Sequence, residues 1–420
     1  MTAPVTHVIG AGLAGLSAAV GLVKAGRAVA IHEAAGHAGG RCRSFHDSGL
    51  GCSIDNGNHL LLSGNRAALA YLKDIGAEDA LTGPEKARFP FLDLATGRRW
   101  TVELDAGPVP WWIFSKARRV PDSRPADYLR ALRLAWAGED ATVAECLDPE
   151  NALFRRFWEP LAVAVLNTEA SAGAASLLWP VIRETFGRGE AACRPLIARV
   201  GLSESFVDPA IGHLRDRGAE ICLNRRLRAF RMADDRIQAL DFGDGEIILG
   251  EGDTVVLAAP PGVAANLVRG LSAPDESRAI VNGHFRLPRE GEGLSFLGLV
   301  GGVAQWLFVR GGVASVTVSA ADALAEEDSA TLAGRLWREV ASALDLGEAP
   351  LPAHRIVKEK RATFAQTPAQ VKRRPGTRTA WKNLFLAGDW IDTGLPATIE
   401  GTIRSGGRAS EAVRSIPSST

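Results

Sequence analysis

The sequence predicts an α/β protein of mixed α+β character, in which a Rossmann-like nucleotide-binding domain carries an inserted domain of helices and strands. Near the N-terminus, an apolar strand leads through a glycine loop, residues 10–15, into a helix. Near the C-terminus, an apolar strand, residues 383–387, ends in Gly388-Asp389. Between them, residues 253–261 form a continuous apolar run of the kind that is buried in a parallel sheet. Strands so distant in sequence indicate a nucleotide domain assembled from separate segments of the chain.

The N-terminal glycine loop has the sequence context of a dinucleotide-binding turn. Glycines are needed for the tight turn, for the approach of a pyrophosphate to the backbone and for packing of the helix on the strand. They are Gly10, Gly12 and Gly15. A second strand, residues 27–32, ends at Glu33, 18 residues after Gly15, close to the spacing of a ribose-binding acid. The chain has 45 glycines, so a chance cluster is the alternative. The full order of strand, turn, helix, strand and acid favours a nucleotide site.

The segment after Glu33 and the C-terminal strand indicate a long cofactor. Gly39-Gly40-Arg41 suits a second pyrophosphate contact, since a guanidinium neutralises and hydrogen-bonds phosphate oxygens, although a surface turn has the same composition. A cofactor that also contacts Gly388-Asp389 must extend across both halves of the site. FAD meets this requirement better than NAD.

Composition limits the classes of partner and compartment. A length of 420 residues predicts two or three domains, and 48 basic against 48 acidic residues give no excess that favours nucleic acid. The five cysteines are scattered without a CxxC pair, which argues against zinc and disulfides and favours a reducing, cytoplasmic compartment. We expect no signal peptide, because the first strand follows the opening residues directly, and no membrane-spanning helix, because no run of about 18 apolar residues occurs.

The remaining patterns assign helices and strands to two domains. We predict a nucleotide domain from residues 1–75, 200–270 and 375–420, and a substrate domain from residues 76–199 and 271–374. Alternation predicts strands at 88–104, at 220–223, 227–232 and 237–242 as one meander, and at 296–300, 304–309, 314–318 and 355–360. Periodicity predicts helices at 65–75, 125–137, 151–165, 171–187, 209–217 and 328–344. The charged stretch 288–293 is expected to be a loop.

Several segments together resemble one enzyme superfamily. The glycine loop with Glu33-Ala34 and Gly40-Arg41, the strand from Val255, and Gly388-Asp389 with Ile399-Glu400-Gly401 resemble the flavin amine oxidases and phytoene desaturases. A narrower resemblance, to the squalene-associated FAD-dependent desaturases known as hydroxysqualene dehydroxylases, is carried by residues 55–62, 157–168, 297–308, 357–364 and 388–401. Asn58 departs from that group, which usually has Gln there; both side chains offer an amide.

The resemblance implies reduction of hydroxysqualene to squalene, with reduced FAD as the hydride donor. It implies that the ADP half of FAD is held by Gly10, Gly12, Leu13, Ala14, Gly15, Glu33, Ala34, Gly40 and Arg41, with the backbone of Leu227 at the adenine. Gly388 and Asp389 would lie at the ribityl–pyrophosphate region. Ala397, Thr398 and Ile399 would form a helix N-terminus beneath the flavin ring, where the helix dipole stabilises the negative charge of reduced flavin.

Replacing an allylic hydroxyl by hydride needs a proton donor and shelter for an allylic cation. The acid could be a carboxyl whose pKa is raised in an apolar pocket. Candidates by motif position are Asp392, His59 and Glu169, each with the alternative of a cap, turn or surface role. Aromatic faces stabilise cations, and the candidates are Trp158, Trp179, Trp306 and Trp390, with core packing as the alternative.

One segment combines aromatic and basic residues in a way that suits a membrane surface. Trp111, Trp112 and Phe114 are followed by Lys116, Arg118 and Arg119. Aromatic rings at the interface and basic residues on anionic headgroups would place the protein peripherally on the inner face of the cell membrane. The alternative is a segment packed on the substrate domain.

Other functions remain open from the sequence. A carotenoid-type desaturase would use the flavin in the oxidising direction, and a non-catalytic FAD-binding lipid carrier would not use its redox chemistry at all. An amine oxidase is disfavoured because we find no aromatic pair for an amine cage and no well-placed cysteine for a covalent flavin, Cys42 excepted. A simple NAD dehydrogenase is disfavoured by the second half-site at Gly388. The electron donor is expected to be NAD(P)H or a partner reductase.

Overall fold

The computed structural model describes residues 3–288 and 295–416. Its strands in chain order are β1 (Val5–Ile9), β2 (Ala28–His32), β3 (Ser44–Asp47), β4 (Cys52–Asp55), β5 (Leu61–Leu62), β6 (Leu81–Thr82), β7 (Arg88–Asp93), β8 (Arg99–Glu103), β9 (Pro195–Ala198), β10 (Glu220–Cys222), β11 (Ala229–Ala233), β12 (Arg236–Asp241), β13 (Glu246–Ile248), β14 (Thr254–Leu257), β15 (Ser277–Arg286), β16 (Ser295–Val300), β17 (Trp306–Arg310), β18 (Val313–Val318), β19 (His354–Phe364) and β20 (Leu384–Leu386).

The helices connect and cover these strands. The α-helices are α1 (Leu13–Lys24), α2 (Arg66–Asp74), α3 (Pro125–Leu129), α4 (Val143–Cys146), α5 (Glu159–Leu166), α6 (Ala175–Glu184), α7 (Glu190–Cys193), α8 (Asp208–Arg215), α9 (Pro261–Leu267), α10 (Asp322–Glu326), α11 (Ser329–Ala343), α12 (Pro368–Val371) and α13 (Ile399–Arg414). Short 3₁₀ turns span Glu78–Ala80, Trp111–Phe114, Arg130–Trp136 and Phe186–Arg188, and π turns span Phe154–Trp158 and Ser203–Val207. Among the helices of residues 3–288 and 295–416, none combines the length and the apolar character needed to cross a bilayer.

The nucleotide sheet has five parallel strands in the order β10-β2-β1-β14-β20. This confirms the prediction that strands from the two ends and the middle of the chain form one sheet. One part of the prediction was wrong: β10 was assigned to a meander, but it pairs in parallel with β2, with Ile221 opposite Ile31. The meander is β11-β12-β13. A short apolar run forms a strand in either setting, and only the tertiary fold decides its partner.

Helices α1 and α13 pack tightly on each other beside this sheet. A Cβ added to Gly406 of α13 would lie 2.4 Å from the carbonyl oxygen of Ala14 in α1. The Ser17 hydroxyl donates to the carbonyl of Ile403 at 2.9 Å. The first and last helices of the nucleotide domain are therefore in backbone contact.

A seven-stranded sheet, β19-β15-β18-β17-β16-β7-β8, forms the second layer. One face packs on α10 and α11, with the ring of Phe285 against Trp337. The other face has aromatic residues on β7, β16 and β17, and buried polar residues on β15 and β18. We did not predict β15, since its buried Asn282 and His284 interrupt the apolar pattern. The predicted helix at 125–137 is α3 followed by a 3₁₀ segment.

The two sheets draw on different parts of the chain. Strands of the nucleotide sheet lie between residues 5 and 32, 220 and 257, and 384 and 386, whereas those of the seven-stranded sheet lie between residues 88 and 103 and between 277 and 364. The residue boundaries of the two domains stay a prediction. The loop predicted at 288–293 lies, apart from residue 288, outside the described residues.

The nucleotide sheet contains a buried histidine pair, and we expect it to make the fold sensitive to acid. Burial, together with smaller effects of the neighbouring His7 and Arg225, lowers the pKa of His32 to about 3. The two histidine rings stack, and Nδ1 of His7 lies 3.1 Å from Nε2 of His32. The pKa of His32 is lower in the folded protein than the value of about 6.5 in the unfolded chain, so the folded state is stabilised at pH values above 6.5. This stabilisation is lost as the pH falls from about 6.5 toward about 3. From about pH 7.5 to about pH 5, His32 alone should remove about 2 kcal/mol from the free energy of unfolding.

Urea unfolding at the two pH values tests this expectation. The His32→Phe variant keeps an aromatic ring between His7 and Phe242 but cannot titrate. Between about pH 7.5 and about pH 5, the free energy of unfolding of this variant should fall by about 2 kcal/mol less than that of the wild type. An unchanged pH dependence would mean that His32 is not the acid-sensitive group.

Candidate functional site

The glycine loop forms an open cradle at the start of α1. Gly10 has φ +104°, and a Cβ there would lie 2.6 Å from the carbonyl oxygen of Ala258. A Cβ on Gly15 would lie 1.9 Å from the carbonyl oxygen of Gly10, so both positions are limited by packing. Gly12 differs, because nothing lies within 4 Å of its added Cβ. Gly12 is also the N-cap of α1 and provides no side-chain cap, which leaves the helix N-terminus open to an anion.

Glu33 is held at the edge of this cradle. Its Oε2 accepts from the backbone N–H of Ala11 at 2.7 Å, and its Oε1 accepts from that of Ala35 at 2.8 Å. A carboxylate has about four acceptor positions, so capacity remains for a ribose hydroxyl. Ala34 is exposed beside it. The donor set and the open cradle fit the ADP half of FAD.

The N-terminal and C-terminal motifs meet through an ion pair. Nη2 of Arg41 lies 2.8 Å from Oδ1 of Asp389, and a second guanidinium nitrogen donates to the carbonyl of Ala362. Asp389 is buried, and its charge raises the pKa of Arg41. Gly40, directly before Arg41, has φ +59°. Gly388, directly before Asp389, lies in the segment that follows β20. The pyrophosphate role of Arg41 stays a prediction, since its guanidinium is shared here with the C-terminal half-site.

Helix α13 begins where the sequence predicts a helix N-terminus. Thr398 is its N-cap, and the hydroxyl of Thr398 accepts from the N–H of Gly401 at 3.1 Å. Ile399 is the first helical residue, and the N–H of Ala397 donates to Oε1 of Gln366 at 2.8 Å. The helix N-terminus is confirmed; its contact with a flavin stays a prediction.

Gln366 is a site residue that the sequence did not reveal. It is fully buried, and besides holding Ala397 it donates from Nε2 to the carbonyl of Leu166 at 2.6 Å. Its backbone N–H donates to the hydroxyl of Thr168 at 3.0 Å. One amide thus joins the end of α5 to the turn before α13. No local pattern marks such a residue, since its partners lie 31 and 200 positions away.

Glu400, in the same motif, has a structural role. Its carboxylate accepts from the N–H groups of Ala67 and Ala68 at 3.1 and 2.8 Å, which caps the first turn of α2. Arg404, one turn later, lies 2.9 Å from the same carboxylate. Leu227, predicted near the adenine, is buried before β11, and its backbone contact stays a prediction.

None of the three proposed acids has the expected setting. Asp392 and Glu169 are exposed, and Oδ1 of Asp392 accepts from the N–H of Gly394 at 3.0 Å in an Asx turn, the alternative that the sequence left open. His59 is half-buried, and burial lowers its pKa, which favours the neutral ring over a proton donor.

Glu159 has the setting that those residues lack. It is half-buried at the first position of α5, directly after Trp158. Burial raises the pKa of its carboxyl, and the nearby charge of Glu169 raises it further. The sequence showed Glu159 within a motif but gave no reason to assign it a role.

Three of the four predicted pocket tryptophans share one aromatic cluster on the face of the large sheet that lies opposite α10 and α11. The cluster includes Phe91, Phe157, Trp158 and Trp306, with Trp179 packed against it. Phe157 meets Trp158 edge-on at 4.8 Å between centroids, and Phe91 meets Trp306 edge-on at 5.8 Å. Among the described residues, Nε1 of Trp158 and of Trp306 are buried without hydrogen-bond partners.

Trp390 lies in a different core from the other three tryptophans. It is 1% exposed in the core under the nucleotide sheet, and its Nε1 donates to the carbonyl of Ala259 at 2.9 Å. The structure therefore favours packing over substrate contact for Trp390.

Burial argues against two further roles considered from the sequence, membrane docking by Trp112 and covalent flavin attachment at Cys42. Trp112 is buried, so it cannot dock on a membrane, whereas Trp111 and Phe114 are exposed. Cys42 is buried in the core beside the nucleotide sheet, and burial raises the pKa of its thiol. A neutral, inaccessible thiol is a poor nucleophile for covalent attachment of a flavin.

Comparisons with known proteins agree with this geometry. The family model for flavin-containing amine oxidoreductases matches residues 13–414. The hydroxysqualene dehydroxylase of Sinorhizobium fredii is 48% identical over 406 residues, which cover 96% of this chain and 97% of that protein. The hydroxysqualene dehydroxylase of Rhodopseudomonas palustris is 48% identical over 408 residues, which cover 97% of each chain.

A solved structure shows the fold. A putrescine oxidase redesigned in its cofactor binding superposes with a TM-score of 0.69 at 16% identity, covering 98% of this chain and 100% of that chain. The prediction of an FAD-dependent oxidoreductase is confirmed. The chain belongs to the flavin-containing amine oxidoreductase family, within the group of the hydroxysqualene dehydroxylases.

Proposed function

We propose that this protein reduces hydroxysqualene to squalene in a squalene- and hopanoid-forming pathway. The observation that carries the proposal is the 48% identity, over nearly the whole chain, to two proteins named for this reaction. The buried aromatic cluster beside the large sheet supports it, because the reaction needs a dry, electron-rich wall beside a carbocation.

The residues in and around the cradle are proposed to position the cofactor. The loop 10–15, Glu33-Ala34, Gly40-Arg41 and Leu227 would hold the ADP half of FAD, and Gly388, Asp389 and residues 397–399 the flavin half. FAD, when bound and reduced, supplies the hydride that forms the new C–H bond and is itself oxidised. NAD(P)H or a partner reductase would return the electrons.

The protein itself must supply the proton that allows the hydroxyl of the substrate to leave. The allylic C–O bond breaks as a proton reaches the hydroxyl, and the oxygen leaves as water. The faces of Trp158 and Trp306 would stabilise the allylic cation, and their unpaired N–H groups offer a donor to the hydroxyl before it leaves. Exclusion of other water by the buried cluster would prevent recapture of the cation.

We assign the proton to Glu159. Since Glu159 must be protonated to act, activity should fall as the pH rises through its raised pKa. Removal of the acid in Glu159→Gln should lower the turnover rate by about 100-fold or more. Glu169→Gln should keep turnover, but loss of the like charge lowers the pKa of Glu159, so activity should fall at a lower pH.

The pH profiles of the turnover rate in the three proteins test this assignment. If Glu169→Gln lost turnover while Glu159→Gln kept it, the roles would be reversed. If Glu159→Gln kept normal turnover with flavin fully bound, the proton would come from elsewhere.

The reaction itself is tested in detergent with the purified, FAD-loaded protein. The flavin is reduced without oxygen, one equivalent of hydroxysqualene is added, and the flavin absorption band and the extracted lipid are followed together. Flavin oxidation matched by squalene is the expected result. Unchanged lipid beside a reduced flavin would refute the substrate assignment. Oxidised protein that desaturates another isoprenoid would show a carotenoid-type desaturase, and a flavin inert to every lipid that binds would indicate a carrier.

A further inference from the structure

One part of the surface exposes six large apolar side chains within 28 residues of sequence. Trp136 is 79% exposed, Trp111 66%, Phe114 62% and Leu129 61%. Val109 and Leu132, 50% and 46% exposed, complete the set, which we call the apolar patch. The other large apolar side chains that the described residues expose are distributed over distant parts of the chain. Concentrated exposure of this kind marks an interaction site in a folded protein.

The apolar patch is a built surface and not a loose segment. It comes from two short helical pieces, the turn Trp111–Phe114 and the stretch from α3 to Trp136. The ring of Trp112 meets that of Tyr128 edge-on at 5.1 Å, which joins the two pieces. The hydroxyl of Tyr128 accepts from the N–H of Val120 at 3.0 Å.

Inward and outward residues alternate in the second piece. Tyr128, Ala131 and Leu134 are buried, whereas Leu129, Leu132 and Trp136 point outward. A sequence meant only to cover the core would place polar residues on the outer positions. The outer positions instead carry a second apolar face, with no covering element among the described residues.

The charges around the apolar patch favour an anionic partner. Residues 108–137 contain six basic and two acidic side chains, in a chain whose net charge is zero. Within the described residues, Lys116, Arg124 and Arg133 form no ion pair, and all three are exposed. Glu139 and Asp140 lie just beyond Trp136, and Asp140 is paired with Lys372 at 2.6 Å. Exposed aromatic residues, together with unpaired basic residues in the same segment, are features of a surface that inserts at the headgroup level of an anionic bilayer.

The buried side of the same pieces faces the aromatic cluster. Trp112, Ile113, Tyr128 and Leu134 belong to one continuous core with Trp158 and Trp306. The apolar patch therefore lies over the same apolar core that contains the aromatic cluster. Any role of this core in substrate entry rests on the proposed function, whereas the docking surface does not.

We propose that the apolar patch docks the protein on the surface of an anionic lipid bilayer, without spanning it. The corrected docking residues are Trp111, Phe114, Leu129, Leu132 and Trp136, so Trp112 is an internal support and the stretch after α3 contributes as much as the turn at residues 111–114. A patch that pairs with a second copy would bring its cations together, which disfavours a symmetric dimer.

Co-sedimentation of the full-length, FAD-loaded protein with vesicles tests the proposal. Vesicles of phosphatidylcholine alone are compared with vesicles containing phosphatidylglycerol. We expect binding to the anionic vesicles that weakens with added salt. The Trp111→Ser/Trp136→Ser double variant should bind at least about tenfold more weakly to both vesicle types. Lys116→Glu/Arg133→Glu should lose about tenfold or more on the anionic vesicles only.

A matched control variant distinguishes loss of membrane docking from a nonspecific effect of replacing an exposed apolar residue. Ile248 is 63% exposed in the meander, away from the patch, so Ile248→Ser should bind like the wild type. Flavin content and circular dichroism of every variant confirm that the fold is intact. Wild-type binding by the double tryptophan variant would overturn the proposal. A wild-type dimer that the double variant abolishes, without vesicle binding, would show a protein interface instead. Turnover in detergent is measured separately, so failure of docking and failure of the reaction are distinguishable.

Discussion

Gly406→Ala is expected to lower the free energy of unfolding by about 2–3 kcal/mol, whereas Gly407→Ala is expected to raise it by about 0.5–1 kcal/mol. The two glycines are adjacent on α13. The added methyl of Gly406→Ala would lie 2.4 Å from a carbonyl oxygen of α1, and both helices would have to separate. Nothing lies within 4 Å of the methyl of Gly407→Ala, so that variant gains only the better helix propensity of alanine.

Urea unfolding of the two variants, with and without bound FAD, measures the difference. Gly406→Ala should also retain less flavin through purification, because separation of α1 from α13 displaces the cradle from the second half-site. Equal stabilities of the two variants would mean that the contact between α1 and α13 relaxes without cost.

Gly12→Leu is expected to abolish FAD binding while leaving the flavin-free protein folded. Gly12 has φ −72° and open space at its Cβ, so a side chain fits the protein without backbone strain. The same side chain fills the space in front of the α1 N-terminus that a pyrophosphate needs. We expect the dissociation constant for FAD to rise by at least about 1,000-fold, which corresponds to about 4 kcal/mol.

Flavin titration measured by fluorescence gives the affinity, and thermal unfolding of the flavin-free protein gives the stability. Gly334→Leu is the matched control, since Gly334 lies in α11, which packs on the large sheet, and has equally open Cβ space. A Gly12→Leu protein that binds FAD normally would place the pyrophosphate elsewhere. A protein that fails to fold would show that Gly12 serves packing, as Gly10 and Gly15 do.

The sequence was most informative where function and local geometry depend on the same few residues. The loop from Gly10 to Gly15 carries both its conformation and its ligand preference in one short segment, and the strand at β14 is apolar throughout because both of its faces are covered. These were predicted because neighbouring residues define them.

The sequence was least informative where a residue is defined by partners far along the chain. The place of β10 beside β2, the polar strand β15 and the clamp at Gln366 depend on contacts that no local pattern records. Trp158 and Trp306 belong to one core and Trp390 to another, although the three stand in equally distinctive motifs. The raised pKa of Glu159 arises from its surroundings in space, so the sequence directed attention to more exposed carboxyls instead.

The pairing of Arg41 with Asp389 has a consequence for biosynthesis. The glycine loop leaves the ribosome well before β20 and α13, which come from residues 384–414. Until β20 and α13 are made, β14 has an open edge, α1 has an uncovered face, and the proposed flavin site has only one half. We therefore expect a chain that lacks β20 and α13 to bind no cofactor and to present a free strand edge to chaperones and proteases. For the same reason, we expect flavin absorbance to appear on the folding protein only after β20 has joined the nucleotide sheet and α13 has packed on α1.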